Sequence, residues 1–239
     1  MFRDDSRCRR YCFTPTHPLW RLSSTNRPTG MDVSQSEFRV CAADNTFTVG
    51  IFLETDRMTL SWFTEHDIDA LVDLDSDPEV MRYINGGQPV DHTAVANNLD
   101  YWLATYSTDG SVGFWKAEAK SSGQFIGWFH FRPKLGESPT RPELGYRIRR
   151  ADWGQGLATE GSRALIDMGF RRLAIDGVYA QTMAVNWASR RVMEKSGLRF
   201  VRTFAADWPV RIVGDELGGV EFAITRQQWE ADRGANGPE

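Results

Sequence analysis

The chain has 239 residues, of which 41% are hydrophobic and 25% charged, and this suits one globular domain with a sizeable core and flanking tails. A net charge of −4 gives no electrostatic footprint for nucleic acid or for an anionic membrane surface, so we expect neither as a partner. The apolar stretches are far shorter than a bilayer requires, which excludes a membrane span in this prediction.

Cysteine and histidine usage indicates the compartment and the metal content. The three cysteines are Cys8, Cys12 and Cys41, so the rest of the chain cannot depend on disulfides or on a cysteine metal site. This favours a reducing, cytoplasmic location. The four histidines are scattered along the chain, and we therefore predict no metal.

The first fifty residues differ in composition from the rest. They are rich in Arg, Pro, Ser and Thr and show no helical or strand periodicity. We predict a disordered extension over residues 1–50, a folded domain over 51–232 and a flexible tail over 233–239. An over-extended gene model and a functional arm both remain open for the extension.

The regular pattern begins with a strand at 58–62, where apolar and polar residues alternate. A capping-box spacing from Thr64 to Asp67 then predicts a helix that ends at Pro78. A second helix is predicted from Asp91 to the Asp109-Gly110 stop. Strands at 113–119 and 124–132 form a hairpin around Ser121-Ser122-Gly123, and a Pro and Gly loop leads to a strand at 144–148.

A glycine-punctuated turn follows that strand and opens an amphipathic helix near Leu157. Gly154 and Gly156 remove side chains where backbone must approach a ligand, and the helix start presents free N–H groups and the positive end of the dipole. This combination predicts a site for a pyrophosphate. Later elements are strands at 178–185, 200–204 and 219–225 and a helix at 187–196.

The predicted order is β-α-α-β-β-β-α-β-α-β-β, which favours an α/β sandwich with a mixed sheet. A dinucleotide-binding Rossmann turn is an alternative for the glycine segment, but it matches only in part. Thr159 stands at the third glycine position, and residues 149–153 separate the turn from its strand, whereas a Rossmann turn follows its strand at once.

Three segments in this order carry a family resemblance: WGQGLATE at 153–160, NWAS at 186–189 and EKSGL at 194–198. Together with the element order they resemble the GNAT N-acetyltransferase superfamily, in the branch typified by the ribosomal-protein N-terminal acetyltransferases. The resemblance spans residues 55–230. It implies an α/β fold whose mixed, mostly antiparallel sheet is flanked by helices and contains a splayed central strand pair.

The resemblance also implies acetyl-CoA as the acetyl donor. The residues it assigns to acetyl-CoA are the backbone of Tyr146 and Ile148 on the splayed strand, the turn and helix start at Gly154, Gln155, Gly156, Leu157, Ala158 and Thr159, and the side chain of Asn186. Trp153 stands where the family motif has Arg or Gln, and we expect it to pack at the rim. Asn186 also suits the start of the helix that follows it.

For the proton transfers, the resemblance implies Glu143 as the base, with His130 as the fallback. Glu160, by contrast, is expected to serve helix-end electrostatics. Many family members have a Tyr acid seven residues after the Asn, but Met193 stands there and cannot donate a proton. The resemblance to the ribosomal-protein branch implies Ser189 as the candidate acid instead.

The implied activity is acetyl transfer from acetyl-CoA to a primary amine by direct attack through a tetrahedral intermediate. A protein N-terminus and a small-molecule amine both remain open as acceptors, and so do a monomer and a homodimer. A non-catalytic acyl-CoA sensor or interaction domain is the alternative, because the Tyr acid is missing.

Overall fold

The computed structural model describes residues 50–106, 111–206, 208 and 210–235. Within them, the strands are β1 (Ile51–Glu54), β2 (Met58–Trp62), β3 (Gly113–Ala119), β4 (Phe125–Arg132), β5 (Glu143–Ile148), β6 (Gly177–Met183), β7 (Arg199–Phe204) and β8 (Gly219–Thr225). The helices are α1 (Ile68–Ser76), α2 (Pro78–Asn85), α3 (His92–Ala104), α4 (Leu157–Arg172), α5 (Trp187–Lys195) and α6 (Arg226–Ala235).

All the strands join one sheet in the order β1-β2-β3-β4-β5-β6-β8-β7. Neighbours pair antiparallel except β5 and β6, which run parallel and share a single register pair, Glu143 with Tyr179. The two strands therefore separate beyond Glu143. The predicted α/β class, with a mostly antiparallel mixed sheet and a splayed central pair, is confirmed.

One face of the sheet is covered by α4, which lies very close to β4. A Cβ added to Gly161 would lie 2.3 Å from the ring of Phe129, and one added to Gly169 would lie 2.6 Å from the ring of Phe131. The helix can approach this closely because both positions lack a side chain. As a result, the start of α4 is held against the sheet near the opening between β5 and β6.

The other face of the sheet packs against α1 and α3. Its apolar cluster joins Leu71 and Leu74 of α1 with Val95 and Leu99 of α3 and reaches Trp128 on β4. Aromatic contacts strengthen this layer, since the Trp102 ring stacks on Phe114 at 4.4 Å between centroids. This packing makes α1 and α3 a rigid support for the strand face that carries Glu143.

The predicted helix end at Pro78 is wrong in its detail. Helix α1 ends at Ser76, and Pro78 is the first residue of a further helix, α2. Asp77 caps α2 by accepting a hydrogen bond from the Glu79 amide at 2.9 Å. Proline suits the first helical position because a backbone N–H there would have no acceptor within the helix, so its absence costs no hydrogen bond.

The next helix is shorter than expected. It ends at Ala104, and the Asp109-Gly110 stop lies outside the described residues. Tyr106 does not continue the helix. Its hydroxyl donates to the Phe114 carbonyl at 2.7 Å and accepts from the Phe63 amide at 3.1 Å, so it joins two segments.

Two elements have too little periodicity to predict. Strand β1 has four residues, and α6 is a polar helix that extends to Ala235, beyond the predicted domain end at 232. The extension at 1–49 and residues 236–239 lie outside the described part, so the domain boundaries stay predictions. In the described part no helix combines the length and the apolar character needed to cross a bilayer.

Candidate active site

A cleft of about 1000 Å³ opens where β5 and β6 separate. Both strands line it, together with α2, the start of α4 and one side of α5. Of the predicted site residues, Gln155 alone is absent from the lining; the others are Glu143, Tyr146, Ile148, Gly154, Gly156, Leu157, Ala158, Thr159, Asn186 and Ser189. The fold therefore brings together residues from three separate segments of the chain.

The edge of β5 that faces the cleft has free backbone donors. The Arg149 amide donates to the Ile126 carbonyl on the β4 side at 2.8 Å. Backbone amides of a strand alternate in direction, so the amides of Tyr146 and Ile148 point to the β6 side. Because β6 has already separated there, these two amides are open to a ligand in the cleft.

The glycine turn takes the conformation that the sequence predicts. Gly154 and Gly156 have φ of 75° and 80°, the left-handed region that other residues rarely adopt. The first hydrogen bond of α4 runs from the Glu160 amide to the Gly156 carbonyl, so the amides of residues 157–159 have no partner within the helix. The helix start therefore offers several donors and a positive dipole end to an anion.

Arg57 holds this turn in place. Its Nη1 donates to the Gln155 carbonyl at 2.9 Å, and its backbone and guanidinium both bind the Glu160 carboxylate. Partial burial acts to raise the pKa of Glu160, but hydrogen bonds from Thr55 and Arg57 outweigh it and leave the pKa below its usual range. Glu160 is thus a charged anchor of the turn and is not directed at the cleft.

Glu143 lies on the face of the sheet opposite α4, with its side chain 12% exposed. Burial raises its pKa above the usual value, although the Lys134 ammonium, 3.0 Å from Oε1, acts in the opposite direction. His130 Nε2 lies 3.9 Å from Oε2 of the same carboxylate. A buried carboxylate with a raised pKa is a better proton acceptor than an exposed one.

His130 is a poor alternative base. Burial, together with the nearby Arg132, Lys134 and Arg147 cations, lowers its pKa to about 3. The imidazole is therefore neutral at physiological pH and holds a proton too weakly to accept one from an ammonium. Its ring lies over Gly145, where an added Cβ would lie 2.1 Å from Nε2.

On the α4 side of the sheet, two hydroxyl groups meet. Asn186 caps α5 by accepting from the Ser189 amide at 3.1 Å, which places Ser189 in the first turn. The Ser189 Oγ lies 2.9 Å from the Tyr146 hydroxyl, which also donates to the Ser189 carbonyl at 3.1 Å. Burial raises the pKa of Tyr146, so this hydroxyl stays protonated at neutral pH.

Residues 57–199 match the Acetyltransferase (GNAT) domain model, a span that includes β5, the glycine turn, α4, β6 and α5. The chain belongs to the GNAT acetyltransferase family. It is an acetyl-CoA-dependent N-acetyltransferase, which transfers an acetyl group to a primary amine.

Among its relatives is the FsC-acetyl coenzyme A-N(2)-transacetylase of Aspergillus fumigatus, 34% identical over 184 residues, which are 74% of this chain and 77% of that protein. Among solved structures, RimL, a ribosomal L7/L12 alpha-N-protein acetyltransferase in complex with coenzyme A, has a TM-score of 0.61 at 15% identity. That match covers 74% of this chain and 98% of RimL. An aminoglycoside acetyltransferase in complex with coenzyme A has a TM-score of 0.58 at 22% identity, over 73% and 98% of the two chains.

In this acetyltransferase, Lys134 bridges the two strands that separate. It binds Glu143 on β5 and, through a 2.9 Å hydrogen bond to Oε1, Gln181 on β6. Gln181 in turn donates to Glu221 on β8 at 3.0 Å. Lys134 could not be predicted from the sequence, because a lysine in a loop has no local signal that identifies its partners.

The Tyr146 hydroxyl is the second feature of the acetyltransferase that the sequence did not reveal. The sequence predicts a role for the backbone amide of Tyr146 and indicates nothing about its side chain. The alternation of strand side chains does place Tyr146 and Glu143 on opposite faces. Only the packing of α5 on this sheet brings the hydroxyl to Ser189.

Trp153 packs at the rim of the cleft as expected, with 47% of its surface exposed. Its indole Nε1 donates to the Ile148 carbonyl at 2.7 Å and so ties the turn to the end of β5. In the described ranges no three His, Cys, Asp or Glu side chains form a group that could hold a metal ion. The metal content of the acetyltransferase stays a prediction.

Proposed function

We propose that this acetyltransferase binds acetyl-CoA along the open edge of β5 and acetylates an amine that enters beside Glu143. The observation that carries the proposal is the single register pair between β5 and β6. It leaves the amides of Tyr146 and Ile148 unpaired beside the glycine turn. Strand-edge donors next to a helix start suit an extended ligand that ends in a pyrophosphate.

The pyrophosphate would bind the amides of residues 155–159, because those of 157–159 have no partner within α4 and the helix dipole favours an anion. The carboxylate of Glu160 in the first turn of α4 does not oppose the pyrophosphate, since it is bound to Arg57. The Oδ1 of Asn186 is used by the helix cap, which leaves its amide NH₂ for the pantetheine arm.

In the transfer step, the amine nitrogen forms a bond to the thioester carbonyl carbon, and the carbon–sulfur bond then breaks. Glu143 accepts the proton that the amine loses. The Tyr146 amide stabilises the oxyanion that forms on the carbonyl oxygen, and such stabilisation is a major contribution in acyl transfer. The Ser189 and Tyr146 hydroxyl pair passes a proton to the departing thiolate and regains one from solvent, while Glu143 releases the amine proton to solvent.

The base has a modest task if the acceptor is an α-amine. An α-amine has a pKa of about 8, so about a tenth of it is neutral at pH 7. A lysine amine, with a pKa of about 10.4, depends more on the base. A positioned base then contributes on the order of 10²-fold, and holding the reactants together contributes much of the rest.

We expect Ser189→Ala and Tyr146→Phe each to lower the rate of thiol release about 10-fold, since each removes one of the two hydroxyls near the leaving sulfur. The double variant should lose little more than either single one, because the hydroxyls act as one hydrogen-bonded pair. Tyr101→Phe on α3, half exposed and outside the cleft, is the matched control. Fully additive losses would contradict a shared role.

We expect Lys134→Met to move the acid limb of the kcat/KM profile to higher pH. Around Glu143, burial and Glu137 raise the pKa, while Lys134 and Arg132 lower it. Removal of the Lys134 cation therefore raises this pKa further, and Glu143 becomes an active base only at higher pH.

Lys134→Arg keeps the charge and should leave the acid limb of that profile close to its native position. Lys120→Met removes a lysine that pairs with Glu54 at 2.7 Å, outside the cleft, and should leave the whole profile unchanged. An unmoved acid limb in Lys134→Met would show that Lys134 does not set the ionisation of Glu143.

The proposal extends to the identity of the acceptor amine. The Aspergillus relative is named for acetyl transfer at N(2) of FsC, and RimL is named for a ribosomal protein N-terminus. Both names describe an amine, and a small-molecule amine and a ribosomal-protein-type N-terminus are the two candidates for this chain. A cytoplasmic location is likewise proposed, since the described residues contain no cysteine.

A mixed panel of peptides and small amines, incubated with acetyl-CoA, tests the function directly. Mass spectrometry should find a product 42 Da heavier than its amine (roughly the mass of an added acetyl less one hydrogen), formed together with free thiol. Tight acetyl-CoA binding without thiol release on any amine would instead support a non-catalytic sensor.

A further inference from the structure

We propose that Arg191 and Lys195 bind the 3′-phosphate of acetyl-CoA, so that the enzyme selects coenzyme A over acyl donors that lack this phosphate. The inference rests on the proposed function, since it concerns the same acetyl donor. It adds a second anion site beside the amides proposed for the pyrophosphate. Two features of the cleft support it: the position of the two side chains on α5 and the charges around them.

Both cations lie on the side of α5 that faces the cleft. Arg191 and Lys195 line the cleft, and so do Ala188 and Val192. Ala188 is three residues from Arg191 and four from Val192, and the same spacings lead on to Lys195, so these side chains form one stripe along the helix. The wall of the cleft that α5 forms therefore carries two positive charges.

This wall stands next to the start of α4. The Arg163 guanidinium on the second turn of α4 donates to the Lys195 carbonyl from Nε at 2.8 Å and from Nη2 at 2.6 Å, which holds the two helices side by side. Ala158 and Thr159 in the first turn of α4 line the same cleft as the α5 stripe. A ligand whose pyrophosphate binds the start of α4 therefore has its next group beside α5. In coenzyme A that group is the ribose, which bears the 3′-phosphate.

The two cations have no anionic partner. Among the described residues, the Arg191 and Lys195 side chains make no ion pair or hydrogen bond. Arg190 differs, since its Nη1 donates to the Ala184 carbonyl at 3.0 Å and its guanidinium lies over the Trp187 ring at 3.9 Å. Arg191 and Lys195 are like charges four residues apart on one helix face, an arrangement that their repulsion disfavours. An anion bound between them would offset this repulsion.

No carboxylate opposes an anion on this wall of the cleft. Among the described residues of α4 and α5 that line the cleft, none is acidic. Glu160 on α4 is bound to Arg57, and Glu194 on α5 is absent from the lining. Asp152, which lines the cleft before the glycine turn, is paired with Arg149 at 2.8 Å. The charges on this side of the cleft therefore favour a negative group.

The chemistry of the two side chains suits a phosphate monoester. Such a group carries a charge of about −1.5 to −2 at pH 7 and presents three acceptor oxygens. The Arg191 guanidinium can bind two of these oxygens through its fork of N–H groups, while the Lys195 ammonium acts as a point charge. The backbone amides at the start of α4 suit the pyrophosphate, which leaves these two side chains to the 3′-phosphate.

Calorimetry with coenzyme A and with 3′-dephospho-coenzyme A tests the inference without turnover. We expect the native protein to bind coenzyme A about 10-fold more tightly, since two exposed cations on one phosphate contribute about 3-fold each. Arg191→Gln and Lys195→Gln should each lower this affinity ratio about 3-fold, and the double variant should bring the ratio close to one. The ratio should also fall as the salt concentration rises, because exposed charge pairs are screened.

The ratio compares two ligands of one variant, so partial loss of folded protein does not change it. Lys195→Arg keeps the charge and should keep the ratio. Arg172→Gln on the last turn of α4 is the matched control, because it removes an exposed cation that lies outside the cleft and makes no ion pair with a described residue. It should leave the ratio unchanged.

Equal binding of the two ligands by the native protein would overturn the inference. An equal loss of affinity for both ligands in the double variant would also overturn it, because the cations would then act on a group that the two ligands share. The acetyltransferase function would stand in both cases. Absence of coenzyme A binding to the native protein would overturn the proposed acetyl-CoA site itself, so the two failures are distinguishable.

Discussion

Gly156→Glu is expected to weaken acetyl-CoA binding by more than about 100-fold in calorimetry, enough to abolish it at ordinary concentrations. Gly156 caps α4 in a left-handed conformation, and its missing side chain leaves the amides of the helix start open. A glutamate there fills the turn and sets a negative charge against the pyrophosphate. The added bulk and the added charge both act on the backbone amides at the start of α4.

The backbone strain of this substitution needs its own control. An ordinary residue in the left-handed region costs about 1–2 kcal/mol, whatever its side chain does. Gly123 in the hairpin between β3 and β4 has φ of 68° and nothing within 4 Å of an added Cβ, whereas at Gly156 the added Cβ would lie 3.7 Å from Arg57 Nη2. Gly123→Glu should therefore share the strain and the charge but retain acetyl-CoA binding.

Gly156→Ala separates strain from charge, because it has the same conformational cost without the carboxylate. We expect a smaller loss of affinity than for Gly156→Glu, and a loss that salt changes little. Unchanged calorimetric affinity in Gly156→Glu would remove the assignment of the glycine turn to the pyrophosphate.

Glu143→Gln is expected to lower the rate about 10²-fold at neutral pH, with substrate binding less affected. The amide keeps the shape of the carboxylate but cannot accept the amine proton. The size of the loss should depend on pH, because the base matters only while the amine carries a proton.

The pH dependence of this loss follows from the pKa of Glu143 and the pKa of the acceptor amine. Below the pKa of Glu143, which burial raises, the native enzyme itself loses its base and the two rates converge. Above the amine pKa, near ~8 for an α-amine, the acceptor is already neutral and the rates converge again. The ratio of native to variant rate should therefore peak between these values. A flat ratio across pH would count against Glu143 as the base.

The sheet and the glycine turn were predictable because their signals are local. Alternation in 58–62 and the turn chemistry of Ser121-Ser122-Gly123 depend on neighbours along the chain, and so does the helix cap at Asn186. Pro78 is ambiguous in the sequence, because proline both ends one helix and suits the first position of the next. The polar helix α6 has no apolar stripe from which to predict it.

The proposed acid is the part of the site that the sequence determines least. Met193 stood where a Tyr was expected, and Ser189 was the remaining candidate on α5. The fold brings a hydroxyl from a different element, since Tyr146 on β5 lies 2.9 Å from Ser189 Oγ. No spacing along the chain indicates a contact between residues 43 positions apart.

The sequence by itself determined the family, the order of the elements, the left-handed glycines and the cap at Asn186, because these follow from short-range geometry and from contiguous motifs. The tertiary structure alone decided which charges meet. The Arg57–Glu160 anchor joins residues 103 apart, and the Lys134–Gln181 bridge joins residues 47 apart. The physical reason is that strand register and helix packing set these contacts, and they in turn set the pKa of Glu143.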